Sequence, residues 1–299
     1  EPAPEPASTE ADDLAFWLYS SGSTGRPKAV VHTHGNLQQT VDLYGRPVMS
    51  VAESDTVFSA AKLFFAYGLG NALTFPLSVG ARVILMAERA APDAIFKRLS
   101  EHRVTIFCGA PTTYVALLAH PARPPGDALA LRMCTSAGEA LPQSVGQRFQ
   151  AEYNVPILDG IGSTEMLHIY ISNRLDDLRY GSSGKPCPGY EIELRDPEGA
   201  IVKVGEIGEL WVRGPSAAVM YWRDRERSRS TFFGPWMKTG DKYRELPSGH
   251  YEYAGRSDDM LKVSGQYVAP VEVEFALVSH PSVLEAAVVG KNDDTGLLR

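Results

Sequence analysis

From residue 14 to about residue 190 the chain alternates short apolar runs with longer amphipathic stretches. Short apolar runs bounded by turn residues suit buried strands, and the amphipathic stretches suit helices laid over them. In tandem they predict an α/β fold, a layered βαβ arrangement with a parallel-rich sheet. Candidate strands are residues 14–19, 56–59, 82–85, 105–108, 131–135 and 156–159. Helical periodicity is clearest over 92–102 and 142–153. Several strands end where a polar or Gly-rich segment begins, and open sheets of this class bind ligands in such carboxyl-end crevices.

The texture changes after residue 190. Short β-like runs at 191–195, 208–213 and 249–253 are separated by Gly, Pro and Asp turns, which predicts a small antiparallel, barrel-like subdomain over 191–255. A new start follows, with a strand-like 260–263 and a helix over about 269–279, so 256–299 is expected to be a hinge and the beginning of a C-terminal α+β domain. Residues 1–13 are Pro-, Ala- and Glu-rich and are expected to form an extended linker. The start without methionine and the stop just after a strand-like run are expected to be cuts in a longer protein.

Composition excludes several classes of function. With 44% hydrophobic residues among 299, most of the chain can bury a core. A net charge of −7 with scattered Lys and Arg offers no basic stripe for nucleic acid. No apolar run approaches the roughly 20 residues that span a bilayer. Cys108, Cys134 and Cys187 are far apart and lack Cys-x-x-Cys spacing, as expected of buried thiols in a reducing, cytoplasmic setting.

Directly after the first candidate strand comes Ser20-Ser21-Gly22-Ser23-Thr24-Gly25-Arg26-Pro27-Lys28. Glycines and small hydroxyl residues let backbone N–H groups and side-chain oxygens wrap a phosphate chain, and a terminal lysine adds a compact positive charge. A Walker A loop is excluded by spacing, since Pro27 separates the second glycine from Lys28 and Ala29 follows it. Three further segments have the composition of ligand-binding turns: Ser136-Ala137-Gly138-Glu139-Ala140, Asp159-Gly160-Ile161-Gly162-Ser163-Thr164-Glu165 and Lys238-Thr239-Gly240-Asp241. Each alone could be an ordinary turn.

Taken in order, these segments resemble the motifs of the adenylate-forming superfamily, which includes acyl-CoA synthetases, nonribosomal peptide adenylation domains and luciferases. The resemblance covers residues 14–299. It implies an acyl-CoA synthetase fold and a two-step reaction, acyl-adenylate formation from ATP followed by transfer to coenzyme A. It also implies that Ser20, Ser21, Gly22, Ser23, Thr24, Gly25 and Lys28 hold phosphates, that Gly138, Glu139, Ala140, Asp159, Gly160 and Ile161 lie along the nucleotide, and that Thr164 meets the α-phosphate. Glu165 would hold Mg²⁺, Asp241 the ribose hydroxyls, and Arg256 the ribose or a phosphate. Many relatives carry an aromatic residue where Ile161 stands. Asp258 falls at the family hinge and Gly265 at the pantetheine passage to coenzyme A.

Phe65, Ala66, Tyr67 and Gly68 stand where the family lines its acyl site, with Gly162, His168 and Ile169 expected on the opposite wall. The wording at 64–70 and 265–274 resembles the benzoate- and hydroxybenzoate-CoA ligase branch, which implies a flat aromatic acid as substrate, with a monomer or homodimer as the assembly. The family's catalytic lysine near the C-terminus is expected beyond Arg299, which would leave the 299-residue chain itself a poor catalyst. Two other readings are a carrier-protein-loading or fatty acyl-CoA-forming relative, and a nucleotide-binding fragment without catalysis.

Overall fold

The first strand is followed by its antiparallel partner. β1 (Leu14–Ser20) pairs with β2 (Lys28–Thr33) from Leu14↔Thr33 to Ser20↔Lys28. The expectation that 14–19 joins the parallel sheet is therefore corrected. A parallel return needs a crossover of about a dozen residues or more, whereas residues 21–27 supply only a short connection. The apolar run just beyond it, with Val30 and Val31 fully buried, then folds back along β1. The structure, a computed structural model, describes residues 5–20, 27–257, 261–263, 266–268, 270–280, 282–283 and 286–291.

After α1 (His34–Thr40) the central layer is built from β3 (Thr56–Ser59), α2 (Ala66–Leu69), α3 (Phe75–Leu77), β4 (Arg82–Ile84), α4 (Pro92–Glu101), β5 (Ile106–Gly109), α5 (Pro111–Ala119), β6 (Met133–Ser136), α6 (Gln143–Tyr153) and β7 (Ile157–Gly162). With β8 (Ile169–Ser172) and β9 (Lys185–Pro186), its strands form a seven-stranded sheet in the order β4-β3-β5-β6-β7-β8-β9. Pairing is parallel from β4 through β7 and antiparallel at β8 and β9. β3, β5 and β6 are buried at every position because both faces are covered. Alternate residues feed two cores. Phe58, Phe107, Cys134 and Ile157 pack with Ile95, Tyr114 and Phe149 of the helices on one face. Val57, Ile106, Cys108 and Leu158 pack with Tyr44, Phe75 and Ile169 on the other.

Two features of this layer were not expected. α5 is apolar nearly all round, with Pro111 at its start, so it carries no helical period to read. The antiparallel end of the sheet is short and interrupted by turns. The three thiols are free and buried, and burial pushes Cys108 and Cys187 up to about 12.

The second layer is a five-stranded antiparallel sheet of β10 (Glu191–Arg195), β11 (Ile207–Arg213), β13 (Phe232–Phe233), β14 (Trp236–Glu245) and β15 (Tyr251–Arg256). β14 pairs with β11 on one edge and with β13 and then β15 on the other. Between them, β12 (Met220–Tyr221) leaves this sheet and pairs with β2, and α7 (Arg225–Thr231) leads the chain back. β14 contains the Lys238-Thr239-Gly240-Asp241 turn residues, which Gly240 at φ +79° and a register shift accommodate inside one strand. Beyond it, β16 (Leu261–Val263) and β17 (Gln266–Val268) form a hairpin before α8 (Pro270–Val278).

Candidate functional site

One end each of β1, β2, β7 and β15 and the middle of β14 converge on a cleft of about 1660 Å³. Ser20 and Lys28 sit opposite each other at the mouth of the loop between β1 and β2, and both line the cleft. Gly138, Glu139 and Ala140 follow β6 on its floor, where Gly138 adopts φ +96°, a conformation that side chains disfavour. Gly160, Ile161, Gly162, Ser163, Thr164 and Glu165 come from β7 and the turn after it, and Asp241 and Arg256 come from paired positions of β14 and β15.

The charged groups are already tied together. Lys28 Nζ lies 3.4 Å from Glu165 Oε1, and the Tyr221 hydroxyl donates to the same oxygen at 2.7 Å. The Lys28 ammonium also stands 4.9 Å from the centre of the Tyr221 ring. Burial and the adjacent Glu165 carboxylate push the Tyr221 hydroxyl far up, so it remains a donor. Arg256 Nη1 donates to Asp241 Oδ1 at 3.2 Å, yet burial outweighs that partner and pushes Asp241 up to about 6. The Ser20 hydroxyl is buried without a partner among the described residues.

The turn that carries Thr164 and Glu165 is sharply bent. Leu167 adopts φ +64°, a left-handed conformation costing about 1–2 kcal/mol for a residue with a side chain. That bend leaves Glu165 on the cleft and sends His168 into the interior. The His32 ring lies beneath the turn, with Nε2 2.8 Å from the Thr164 carbonyl oxygen and Nδ1 2.8 Å from Asn36 Nδ2. Burial pushes His32 down to about 4, so the ring is neutral near pH 7.

Other expected site residues lie elsewhere. Asp159 does not line the cleft; its carboxyl is buried, faces the backbone N–H of Leu141 at 3.5 Å, and is pushed up to about 8 by burial. Of the expected acyl-site residues, only Gly162 lines the cleft, and Phe65, Ala66, Tyr67, Gly68, His168 and Ile169 do not. Tyr67 and His168 stack at 5.7 Å, and His168 also meets Tyr44 and Phe75. Tyr67 shares a 2.6 Å hydrogen bond with the Thr135 hydroxyl. Both His168 nitrogens are buried without partners among the described residues, and burial pushes the ring down to about 3. Tyr44, Phe75 and His168 are thus buried together, with Tyr67 partly buried against them, while Phe65 is exposed. Gly68 serves packing, because a Cβ there would run into the Lys62 carbonyl. Ser21, Gly22, Ser23, Thr24, Gly25, Asp258 and Gly265 lie outside the described residues.

Tyr221, His32 and Asn36 escaped sequence reasoning. Tyr221 sits between Met220 and Trp222 and reads as part of an apolar strand, and His32 ends the β-rich run 29–32. Only pairing of β12 with β2 brings Tyr221 to Lys28.

Ser20 and Lys28, a Thr-Glu turn and an Asp-Arg pair thus meet on a single cleft, and the chain belongs to the AMP-binding enzyme family, whose model matches residues 1–222. It is 59% identical over 296 residues to a benzoate–CoA ligase of Thauera aromatica, covering 99% of this chain and 56% of that protein. A 4-hydroxybenzoate–CoA/benzoate–CoA ligase of Rhodopseudomonas palustris is 47% identical, with 98% and 54% covered. The solved benzoate CoA ligase of Burkholderia xenovorans LB400 superposes with a TM-score of 0.94 at 61% identity, over 99% of this chain and 59% of that one. The chain spans about half the length of these relatives.

Proposed function

We propose that the full-length protein is an AMP-forming ligase that joins benzoate or a hydroxybenzoate to coenzyme A through an acyl-adenylate. The observation that carries this reading is the meeting of Ser20, Lys28, Glu165, Asp241 and Arg256 on one cleft, in a chain similar to aryl-CoA ligases. A carboxylate oxygen attacks the α-phosphorus of ATP, pyrophosphate leaves, and the coenzyme A thiol then displaces AMP from the mixed anhydride. Lys28 and the Ser20 hydroxyl neutralise and orient the phosphates, Thr164 adds a hydroxyl at the α-phosphate, and Asp241 accepts the ribose hydroxyls beside Arg256. The stacked pair of Tyr67 and His168 would open to a flat aromatic acid next to Gly162.

Glu165 fits a magnesium site of the kind completed by substrate phosphates. Among the described residues no group of three or more His, Cys, Asp or Glu is placed to hold a metal, and Mg²⁺ at nucleotide sites commonly takes only one or two carboxylates. Bound there, the ion would offset phosphate charge. Asp258 as hinge and Gly265 beside the pantetheine arm complete the reading, with domain boundaries near residues 13, 190 and 255. The three free thiols support a cytoplasmic setting. No helix among the described residues is long and apolar enough to cross a membrane.

The deciding experiment is pyrophosphate release by the full-length protein with a panel of aromatic and aliphatic acids, with and without coenzyme A. Release stimulated by aliphatic acids alone, or no acid-dependent release, overturns the proposal. Asp241 supplies a pH signature. Its carboxyl is lifted to about 6, so it is ionised above that pH and protonated below it, losing acceptor capacity. Affinity for adenosine, which has no phosphate to titrate, is expected to be flat above about pH 6 and to weaken by up to about tenfold per unit below it. Calorimetric titration of wild type and Asp241→Asn checks this. The variant should bind weakly and show no such slope.

A further inference from the structure

We propose that His32 and Asn36 are positioning residues that aim the Thr164–Glu165 turn at the nucleotide, an inference that rests on the ligase reading above. Three successive carbonyls of this turn are each held from the side away from the cleft. The Thr164 oxygen is 2.8 Å from His32 Nε2, the Glu165 oxygen accepts from the Ala218 N–H at 2.7 Å, and the Met166 oxygen accepts from the Ser216 hydroxyl at 2.8 Å. Asn36 joins these holders. Its amide nitrogen lies 2.8 Å from His32 Nδ1, 3.1 Å from the Ser216 carbonyl and 3.2 Å from the Ala217 carbonyl, while its oxygen accepts from the Thr33 hydroxyl.

This arrangement sets the imidazole tautomer. Two carbonyls on Asn36 Nδ2 and a hydroxyl on its oxygen fix which end of the amide faces the ring, so Nδ1 must accept and Nε2 must carry the proton. That proton is then donated to the Thr164 carbonyl. His32 and Asn36 are buried, and His32 stacks on Phe16 at 5.5 Å, so the ring cannot turn away to find another acceptor. The left-handed Leu167 needs such a clamp, because a bent turn persists only where its surroundings hold it. Loss of the His32 donor therefore lets Thr164 and Glu165 drift from the phosphates without altering any group that touches the acid.

The test uses the full-length protein as wild type, His32→Leu and His32→Gln. The leucine variant is expected to need more Mg·ATP for half-maximal pyrophosphate release and to turn over more slowly, by about 10- to 100-fold together, with half-saturating benzoate unchanged. The glutamine variant, whose amide nitrogen can take the place of Nε2, is expected to stay close to wild type. A second readout needs no turnover: nitrogen NMR of the metal- and nucleotide-free protein should show His32 protonated at Nε2 and bare at Nδ1. A proton on Nδ1, a glutamine variant no better than leucine, or equal losses in benzoate and Mg·ATP saturation overturns the proposal. Absence of acid-dependent pyrophosphate release in wild type sinks the ligase reading instead, and the tautomer spectrum then decides the clamp alone.

Discussion

Replacing Lys28 with alanine in the full-length protein is expected to slow pyrophosphate release by about 10²- to 10³-fold, the loss typical of removing one preorganised charge from a reacting oxyanion. The ammonium is held from two sides, by Glu165 at 3.4 Å and over the Tyr221 ring, so it is already aimed when ATP arrives. Alanine also leaves the Glu165 carboxylate with Tyr221 as its one remaining partner in this trio, adding negative charge where phosphates must bind. Both effects act on charge in the transition state. Half-saturation by benzoate should hardly change, because none of the expected acyl-site side chains belongs to this trio. The check is single-turnover pyrophosphate release at saturating benzoate, with a thermal melt to show that the variant is folded. A rate within a factor of about three of wild type removes Lys28 from the phosphate site.

The second large effect concerns stability, at the seam between the two sheets. Gly184 has φ +92°, and a Cβ there would run into the backbone of Ser172 and Asn173 at the end of β8. Its carbonyl accepts from the Tyr251 N–H at 2.8 Å, which ties the seven-stranded sheet to β15. Gly184→Ala is expected to cost about 4 kcal/mol or more, since backbone cannot move aside as a flexible side chain can. Gly199→Ala is the matched control: φ is +89°, but no atom lies within 4 Å of the added carbon. It should cost only the left-handed penalty of roughly 1–2 kcal/mol. Urea unfolding of both variants measures the difference. Equal midpoints for the two would show that the seam relaxes freely.

The parallel strands were readable to within one or two residues at most of their ends because burial on both faces forces continuous apolar runs, as at 56–59 and 106–109. β1 was readable as a strand, yet its partner was not, since pairing depends on the route between strands and a short loop closes only an antiparallel return. β14 went unread as a strand because its Thr-Gly-Asp residues have the composition of a turn and are absorbed by a bulge only when β11 and β15 flank it. α5 lacked a readable period because nearly every face is apolar.

At the site the same division holds. Ser20, Lys28, Glu139, Thr164, Glu165, Asp241 and Arg256 could be named from the chain through the resemblance of their short segments, taken in order, to the family's motifs, and all seven line the cleft. Asp159 and His168 could be named too, but which way their side chains turn depends on the strand pairing around them, and both point into the interior. Tyr221, His32 and Asn36 stayed hidden, since a tyrosine in a strand and a histidine at a strand end have ordinary composition. Their chemistry arises from distance: Tyr221 on Glu165, His32 on Thr164, and Asn36 on both His32 and the 216–217 carbonyls. Short segments could be matched to the family's motifs from the sequence, because each motif is complete within a few residues. Folding alone decides which distant side chains hold them in place, because that depends on strand pairings more than a hundred residues apart.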